Sequence, residues 1–268
     1  MADTSQNSTP SSDEQVQREA TRRSRRAFLV SGVAALASLG GWRWLVSQPK
    51  EAGIPWPLRR VLDANGKLAG EYFSDAHLAP VFPKHLVREP RTNGNVGLGS
   101  NFDPATWRLQ VSSLAEPKRI QAFTLDDIKA LPRVEITTEL KCIEGWSVVV
   151  NWAGARFADF ATKYGLATPD GGTTAASADA LAPYVRVATP DNAYYVGLDI
   201  ASALHPQTLL CYEMNGQPLT PEHGAPLRLA MPVKYGIKYL KRIGNIQFMS
   251  QRPADYWADR GYDWNAGH

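Results

Sequence analysis

Two cysteines, Cys142 and Cys211, are all that the 268 residues contain. A disulfide-stapled scaffold is therefore excluded, since one bridge at most can form. Neither cysteine has the spacing of a zinc site, and no C-x-x-C-H is present for covalent haem. G-x-G-x-x-G and G-x-x-x-x-G-K-[ST] are also missing, which removes the commonest dinucleotide and nucleotide signatures. Any redox group must be held by something else. Net charge is scarce too: 29 Lys and Arg against 26 Asp and Glu leave +3, and much of that excess lies near the N-terminus. No broad nucleic-acid-binding face is expected from such a balance. Nor is there an internal repeat at solenoid periods. The chain does have 44% hydrophobic and 21% charged residues, enough to bury one large core.

Residues 1 to about 21 are rich in Ser, Thr, Gln, Asp and Glu and are expected to be a disordered leader. Next come Arg22, Arg23, Arg25 and Arg26, then a small-residue apolar stretch from Val30 to about Leu45, the order of a targeting element. Ser24-Arg25-Arg26-Ala27-Phe28-Leu29 resembles the twin-arginine export signal, which directs folded proteins to a dedicated translocase. The alternative is a plain basic or membrane-spanning N-terminal helix. Arg43 argues against a full span, and no A-x-A cleavage site follows, which leaves a retained anchor open.

Residues 53–90, rich in Pro and aromatics, read as an extended arm. Regular structure is expected from Trp107. Thr124 caps a short helix over residues 124–131 with Asp127 three positions on, and residues 134–140 alternate as a strand that runs directly into Cys142. Residues 147–152 form a second buried strand, and residues 156–164 a helix closed by Gly165. A Gly- and Ala-rich loop spans 170–182. Further strands are expected at 184–189, 194–198, 208–213, 227–231 and 245–250, with Asn215-Gly216 as a tight turn. A last short helix is framed by Pro253 and Gly261. Many strands with interspersed helices and no regular βαβ alternation point to an α+β fold.

Cys142, at a strand end beside Lys141, Glu144 and Gly145, reads by itself either as a structural cysteine or as a thiolate stabilised by a cation or metal. Its neighbours add a second line of argument. Glu139-Leu140-Lys141-Cys142-Ile143-Glu144-Gly145-Trp146-Ser147-Val148-Val149-Val150-Asn151-Trp152-Ala153-Gly154 resembles the metal-ligand segment of the sulfite oxidase-like molybdopterin-dependent oxidoreductases, nearest the periplasmic methionine sulfoxide reductase branch. A second stretch is the more specific match, running from Leu210-Cys211-Tyr212-Glu213-Met214-Asn215-Gly216 through His223-Gly224-Ala225-Pro226-Leu227-Arg228 to Tyr239-Leu240-Lys241.

The resemblance implies a mixed-sheet sulfite oxidase-like fold over residues 53–268, behind a leader of residues 1–52. It implies a molybdenum-molybdopterin cofactor with Cys142 as the protein ligand to the metal, and a soft thiolate suits a metal already bound by sulfur. His223 and Arg228 fall on pterin-binding positions, and Tyr239, Leu240 and Lys241 on a phosphate-contacting run. Arg228 would supply a planar fork and Lys241 a point charge. Thr189 matches a threonine near the cofactor, and Asn93 the asparagine of an upstream loop. His223 departs from the reductase branch, which has asparagine there. Cys211, flanked by apolar residues, reads as core; His77, His85 and His205 carry no ligand spacing and are assigned no chemistry.

A site of this kind moves two electrons and an oxygen atom between metal and substrate. Sulfite-oxidising relatives place paired arginines shortly after the cysteine. Here Gly145, Trp146 and Ser147 stand there, which favours a neutral sulfoxide-type substrate, with Trp146 as a pocket wall or a core residue. Sulfite oxidation and a cofactor-binding module without turnover are the alternatives. With His268 following shortly after the cofactor segment, the C-terminal immunoglobulin-like domain of true sulfite oxidases is not expected. The partners implied are a small-molecule substrate, a separate electron-transfer protein of the membrane-haem kind and the twin-arginine translocase, with no nucleic acid. The implied location is periplasmic, with membrane tethering if the N-terminal segment is retained.

Overall fold

A computed structural model describes residues 12–51, 53–72, 77–99, 102–173 and 180–268. They divide into two compact units, the first reaching Glu51 and taking in Pro55–Arg59, the second holding Arg60–His268. The first is dominated by one long helix, α1 (Ser12–Ser47). This differs from the expected disordered leader, of which residues 1–11 lie outside the described residues. Glu, Gln, Arg and Ala fill the segment just before the apolar run, all good helix formers, and Glu19 and Arg23 form an i,i+4 pair at 2.6 Å. Within α1, Gln17–Ser47 is long and apolar enough to cross a membrane, and none of its most apolar window is buried.

After the two-residue strands β1 (Lys50–Glu51) and β2 (Ile54–Pro55) comes α2 (Trp56–Tyr72). This helix corrects the extended arm expected from residue 53. Pro57 lies in its first turn, where a missing N–H costs nothing, so the proline that suggested an arm is compatible with a helix start. Residues 77–90 do run extended, apart from one 3-10 turn at Lys84–Leu86.

The remaining elements are β3 (Leu109–Ser112), β4 (Gln121–Phe123), α3 (Leu125–Lys129), β5 (Arg133–Lys141), β6 (Ser147–Arg156), α4 (Phe157–Lys163), β7 (Tyr184–Ala188), β8 (Tyr195–Asp199), α5 (Ile200–Ala203), β9 (Leu209–Met214), β10 (Gln217–Pro218), β11 (Arg228–Ala230) and β12 (Asn245–Met249). Thr124 and Asp127 close the expected capping box on α3, each side chain bonding the other's backbone N–H. Of the loop expected at 170–182, residues 174–179 lie outside the described residues. The helix expected after Pro253 is only a 3-10 turn, Ala258–Arg260, closed by Gly261 at φ 93°. The Pro253 carbonyl instead accepts the Trp264 indole N–H at 3.0 Å.

Two five-stranded sheets result, so the fold is α+β with a mixed sheet, as expected. One runs β10-β9-β6-β5 with β11 also paired to β9, every pairing antiparallel; the other runs β4-β3-β12-β7-β8, where only β12 and β3 are parallel. The core between elements holds Trp152, Phe157, Phe160, Phe248, Leu209 and Leu210, all essentially without solvent exposure. At Gly154 the β6–β9 register shifts by a bulge. A Cβ there would sit 2.1 Å from the Leu210 carbonyl oxygen, so only glycine permits the approach.

Candidate functional site

β5 and β6 stay in register to Lys141 and Ser147, and the five residues between them form the turn that carries Cys142. Cys142 N–H donates to the Trp146 carbonyl at 2.9 Å, and Gly145 N–H to the Cys142 carbonyl at 3.1 Å. The thiol therefore sits on a closed loop at the end of a buried ladder. It is partly exposed.

A cleft of about 350 Å³ opens beside it. Its walls come from widely separated parts of the chain: Pro90 to Val96, Cys142 to Trp146, Tyr194, the 223–241 stretch, and Tyr256 with Trp257. Near Cys142 the wall includes the aromatic Trp146 and Tyr194 together with the Glu144 carboxylate. Tyr194 donates its hydroxyl to the Ile237 carbonyl at 2.6 Å and accepts the Trp257 indole N–H at 3.0 Å. Burial, with Asp255 and Cys142 nearby, holds its phenol above the ordinary tyrosine value.

Arg228 and Lys241 also line the cleft. Arg228 on β11 is 3% exposed, donates Nη1 to the His223 carbonyl at 3.0 Å, and lies 4.7 Å over the Trp152 ring. Its Nε is buried with no hydrogen-bond partner, as is the Tyr239 hydroxyl. Burial lowers the Arg228 guanidinium to about 10. Lys241 donates to the carbonyls of Asn93 at 2.9 Å and Gly94 at 3.2 Å. Burial first and Arg228 second lower its amine to about 8. A buried and a half-buried cation facing one cleft, with a donor unspent on Arg228, suit an anionic group.

The family model for the oxidoreductase molybdopterin binding domain matches residues 96–257. The chain belongs to this molybdopterin-binding oxidoreductase family. A candidate protein-methionine-sulfoxide reductase subunit of Azospira oryzae is 34% identical over 249 residues, covering 91% of this chain and 87% of that protein. The protein-methionine-sulfoxide reductase catalytic subunit of Campylobacter jejuni is 33% identical over 200 residues, with 69% and 63% covered. For the corresponding subunit of Xanthomonas campestris the figures are 35% over 157 residues, 57% and 48%, so the chain spans about half of that relative. Among solved structures, the sulfane dehydrogenase SoxCD of Paracoccus pantotrophus aligns at TM-score 0.48 and 15% identity, over 66% of this chain and 46% of that one.

The residues present fit a molybdopterin: a thiol to ligate, and at other points of the wall an unpartnered Arg228 Nε, an unpartnered Tyr239 hydroxyl and the Lys241 amine for a polar, anionic group. Six of the eight residues expected from sequence line the cleft, namely Asn93, Cys142, His223, Arg228, Tyr239 and Lys241. Thr189 and Leu240 do not. Thr189 is fully buried beneath Gly97, donating to Asp191 at 2.6 Å. Leu240 is also fully buried, and both its main-chain groups are engaged, with Lys238 O and Leu229 N. His223 stands 3.0 Å from Glu89. Burial and Arg228 nonetheless lower its pKa from the ordinary histidine value, against the opposing pull of Glu89.

Sequence reasoning missed Arg91, Tyr194, Tyr256 and Trp257. Arg91 matters most, because it brings a guanidinium to the cleft 5.5 Å over the Trp146 ring, although no arginine stands at residues 145–147. Trp146 lines the cleft and packs partly buried against the edge of the core. Cys211 is core as expected, wholly buried and with its thiol pushed up to about 12 by burial.

Proposed function

We propose that the chain reduces a sulfoxide-type substrate by two electrons and two protons, giving a thioether and water, with molybdenum held by a pterin and by the Cys142 thiolate. One observation carries this: the aromatic side chains Trp146, Tyr194 and Trp257 line the same cleft as Cys142, and the buried Arg228 and half-buried Lys241 line it too, as a cofactor's anionic group would need. When bound, the metal–pterin group would supply the two electrons and take up the oxygen atom. The chain's own residues bind and orient. Arg228, Lys241, His223 and Tyr239 hold the cofactor's polar rim, and Asn93 approaches it from the upstream loop. Thr189 and Leu240 act from behind the wall, by packing under Gly97 and by fixing β11. Trp146, Tyr194 and Trp257 exclude water from the reacting atoms. The relatives named for methionine sulfoxide reduction support this reading.

Holoprotein assayed with a reduced dye against methionine sulfoxide, dimethyl sulfoxide and an N-oxide, and with an oxidised dye against sulfite, tests it. Sulfoxide turnover should dominate. Preferential sulfite oxidation would favour the alternative, on whose side Arg91 stands. A folded protein with stoichiometric pterin and no turnover in either direction would make it a binding module. We further propose that Arg25 and Arg26 direct export of the folded chain by the twin-arginine translocase, that α1 tethers it on the periplasmic side where it is retained, and that a membrane haem protein delivers its electrons. Residues 1–52 then act as leader and residues 53–268 as the oxidoreductase domain. The long apolar α1 supports this.

A further inference from the structure

Two loops that are fifty residues apart in sequence meet on one carboxylate oxygen at the cleft. Glu144 Oε2 accepts the Asn93 Nδ2–H at 3.0 Å and the Trp146 indole N–H at 3.0 Å. Arg91, two residues before Asn93, lies 5.5 Å over the face of that same indole. Trp146 is thus held at its edge by Glu144 and on its face by Arg91, and residues 91–94 are bound from a second side by Lys241. All these residues line the cleft.

We propose that Glu144 is a positioning residue: it latches the Asn93 loop to the Cys142 turn and sets the indole wall that a substrate must pass, acting as a hydrogen-bond acceptor rather than as a charge. The geometry distinguishes the two roles, because both donors converge on a single oxygen. A glutamine carbonyl oxygen in that place can accept both bonds, whereas an alanine can accept neither. Glu144 is not buried, and its carboxyl is held below the usual range chiefly by the Trp146 bond, then by Asn93. Loss of the latch therefore frees the loop without unfolding the sheet beneath it.

This inference rests on the proposed reaction only for its kinetic arm, and hydrogen exchange supplies an arm that does not. In the holoprotein, Glu144→Ala should raise amide exchange in residues 91–97 and raise KM for methionine sulfoxide about three- to tenfold with kcat per bound pterin within about twofold. Glu144→Gln should restore both readouts to wild-type values. Trp146→Phe, which removes one of the two donors, should raise exchange in the same segment and add little when combined with Glu144→Ala. Unchanged exchange in Glu144→Ala would overturn the latch, and equal effects of alanine and glutamine would overturn the acceptor role. Absence of sulfoxide turnover in wild type, with the exchange pattern as expected, would overturn the proposed reaction and leave the latch standing.

Discussion

At Lys241, burial and the nearby Arg228 both oppose the charged amine, and two carbonyls of the 93–94 loop accept from it. In an unfolded chain the amine titrates near 10.5, in the folded cofactor-free chain near 8. Below pH 8 it is charged in both states and the cost is fully present; that cost is relieved as pH rises from about 8 to 10.5. A phosphate needs the charged form. Cofactor retention after dialysis is therefore expected to be flat up to pH 8 and to fall by up to about tenfold per pH unit above it, with Lys241→Arg flattening the profile. A wild-type profile with no break would contradict this. Arg228→Ala is expected to lose one to two decades of cofactor affinity, about 1.5–3 kcal/mol for a charge-assisted contact, and to lower cofactor retention more than it lowers fold stability. Pterin content equal to wild type would refute it. Cys142→Ser should fold, bind pterin and show no turnover, whereas Cys211→Ser should keep both turnover and the Mo(V) resonance of wild type. A Cys142→Ser protein with that resonance unchanged would remove the ligand assignment.

Among the elements, the β6–β9 bulge and the Cys142 turn make opposite demands on glycine. Gly154→Ala would drive a methyl into backbone at 2.1 Å and should cost more than about 3 kcal/mol. Gly145 has φ 87° but open space around it, so Gly145→Ala should cost only about 1–2 kcal/mol. Denaturant melts of the two variants compare them directly, and equal losses would mean that the bulge can relax. What could be read from sequence follows the same division. The capping box at Thr124 and the strand into Cys142 are written in residues within one turn or one ladder, so local rules suffice. α2 was hidden because Pro57 looked like a breaker and acts as a helix-start residue. Arg91, Tyr256 and Trp257 carry no local mark of function. Only tertiary closure brings them to Cys142, just as it takes Thr189 and Leu240 off the cleft surface.

For the whole molecule, the C-terminal segment is pinned by an ion pair at full burial. Lys238 Nζ meets Asp255 Oδ2 at 2.6 Å, and the same carboxylate accepts the N–H groups of Gly197, Trp257 and Ala258. Removing one partner leaves the other charge stranded, so Asp255→Asn should cost about 3–5 kcal/mol in thermal denaturation. A loss below about 1 kcal/mol would mean that water replaces the carboxylate. At the other end, Arg25→Lys with Arg26→Lys keeps charge and removes the planar fork. Active, cofactor-loaded protein is then expected to stay inside the cell. Undiminished activity outside the cytoplasmic membrane would return the segment to a plain basic anchor.

The cleft wall also imposes an order of events. Its first strand of wall begins at Pro90 and its last members are Tyr256 and Trp257. A ribosome delivers residues from the N-terminus onward, so Arg228, Lys241 and the aromatic pair emerge long after Cys142 itself. A nascent chain can offer a thiol but no enclosure, and a thiol alone cannot retain a pterin against diffusion. If a pterin fills this cleft as proposed, its enclosure needs Tyr256 and Trp257, so insertion is expected only after the chain has been made at least to residue 257.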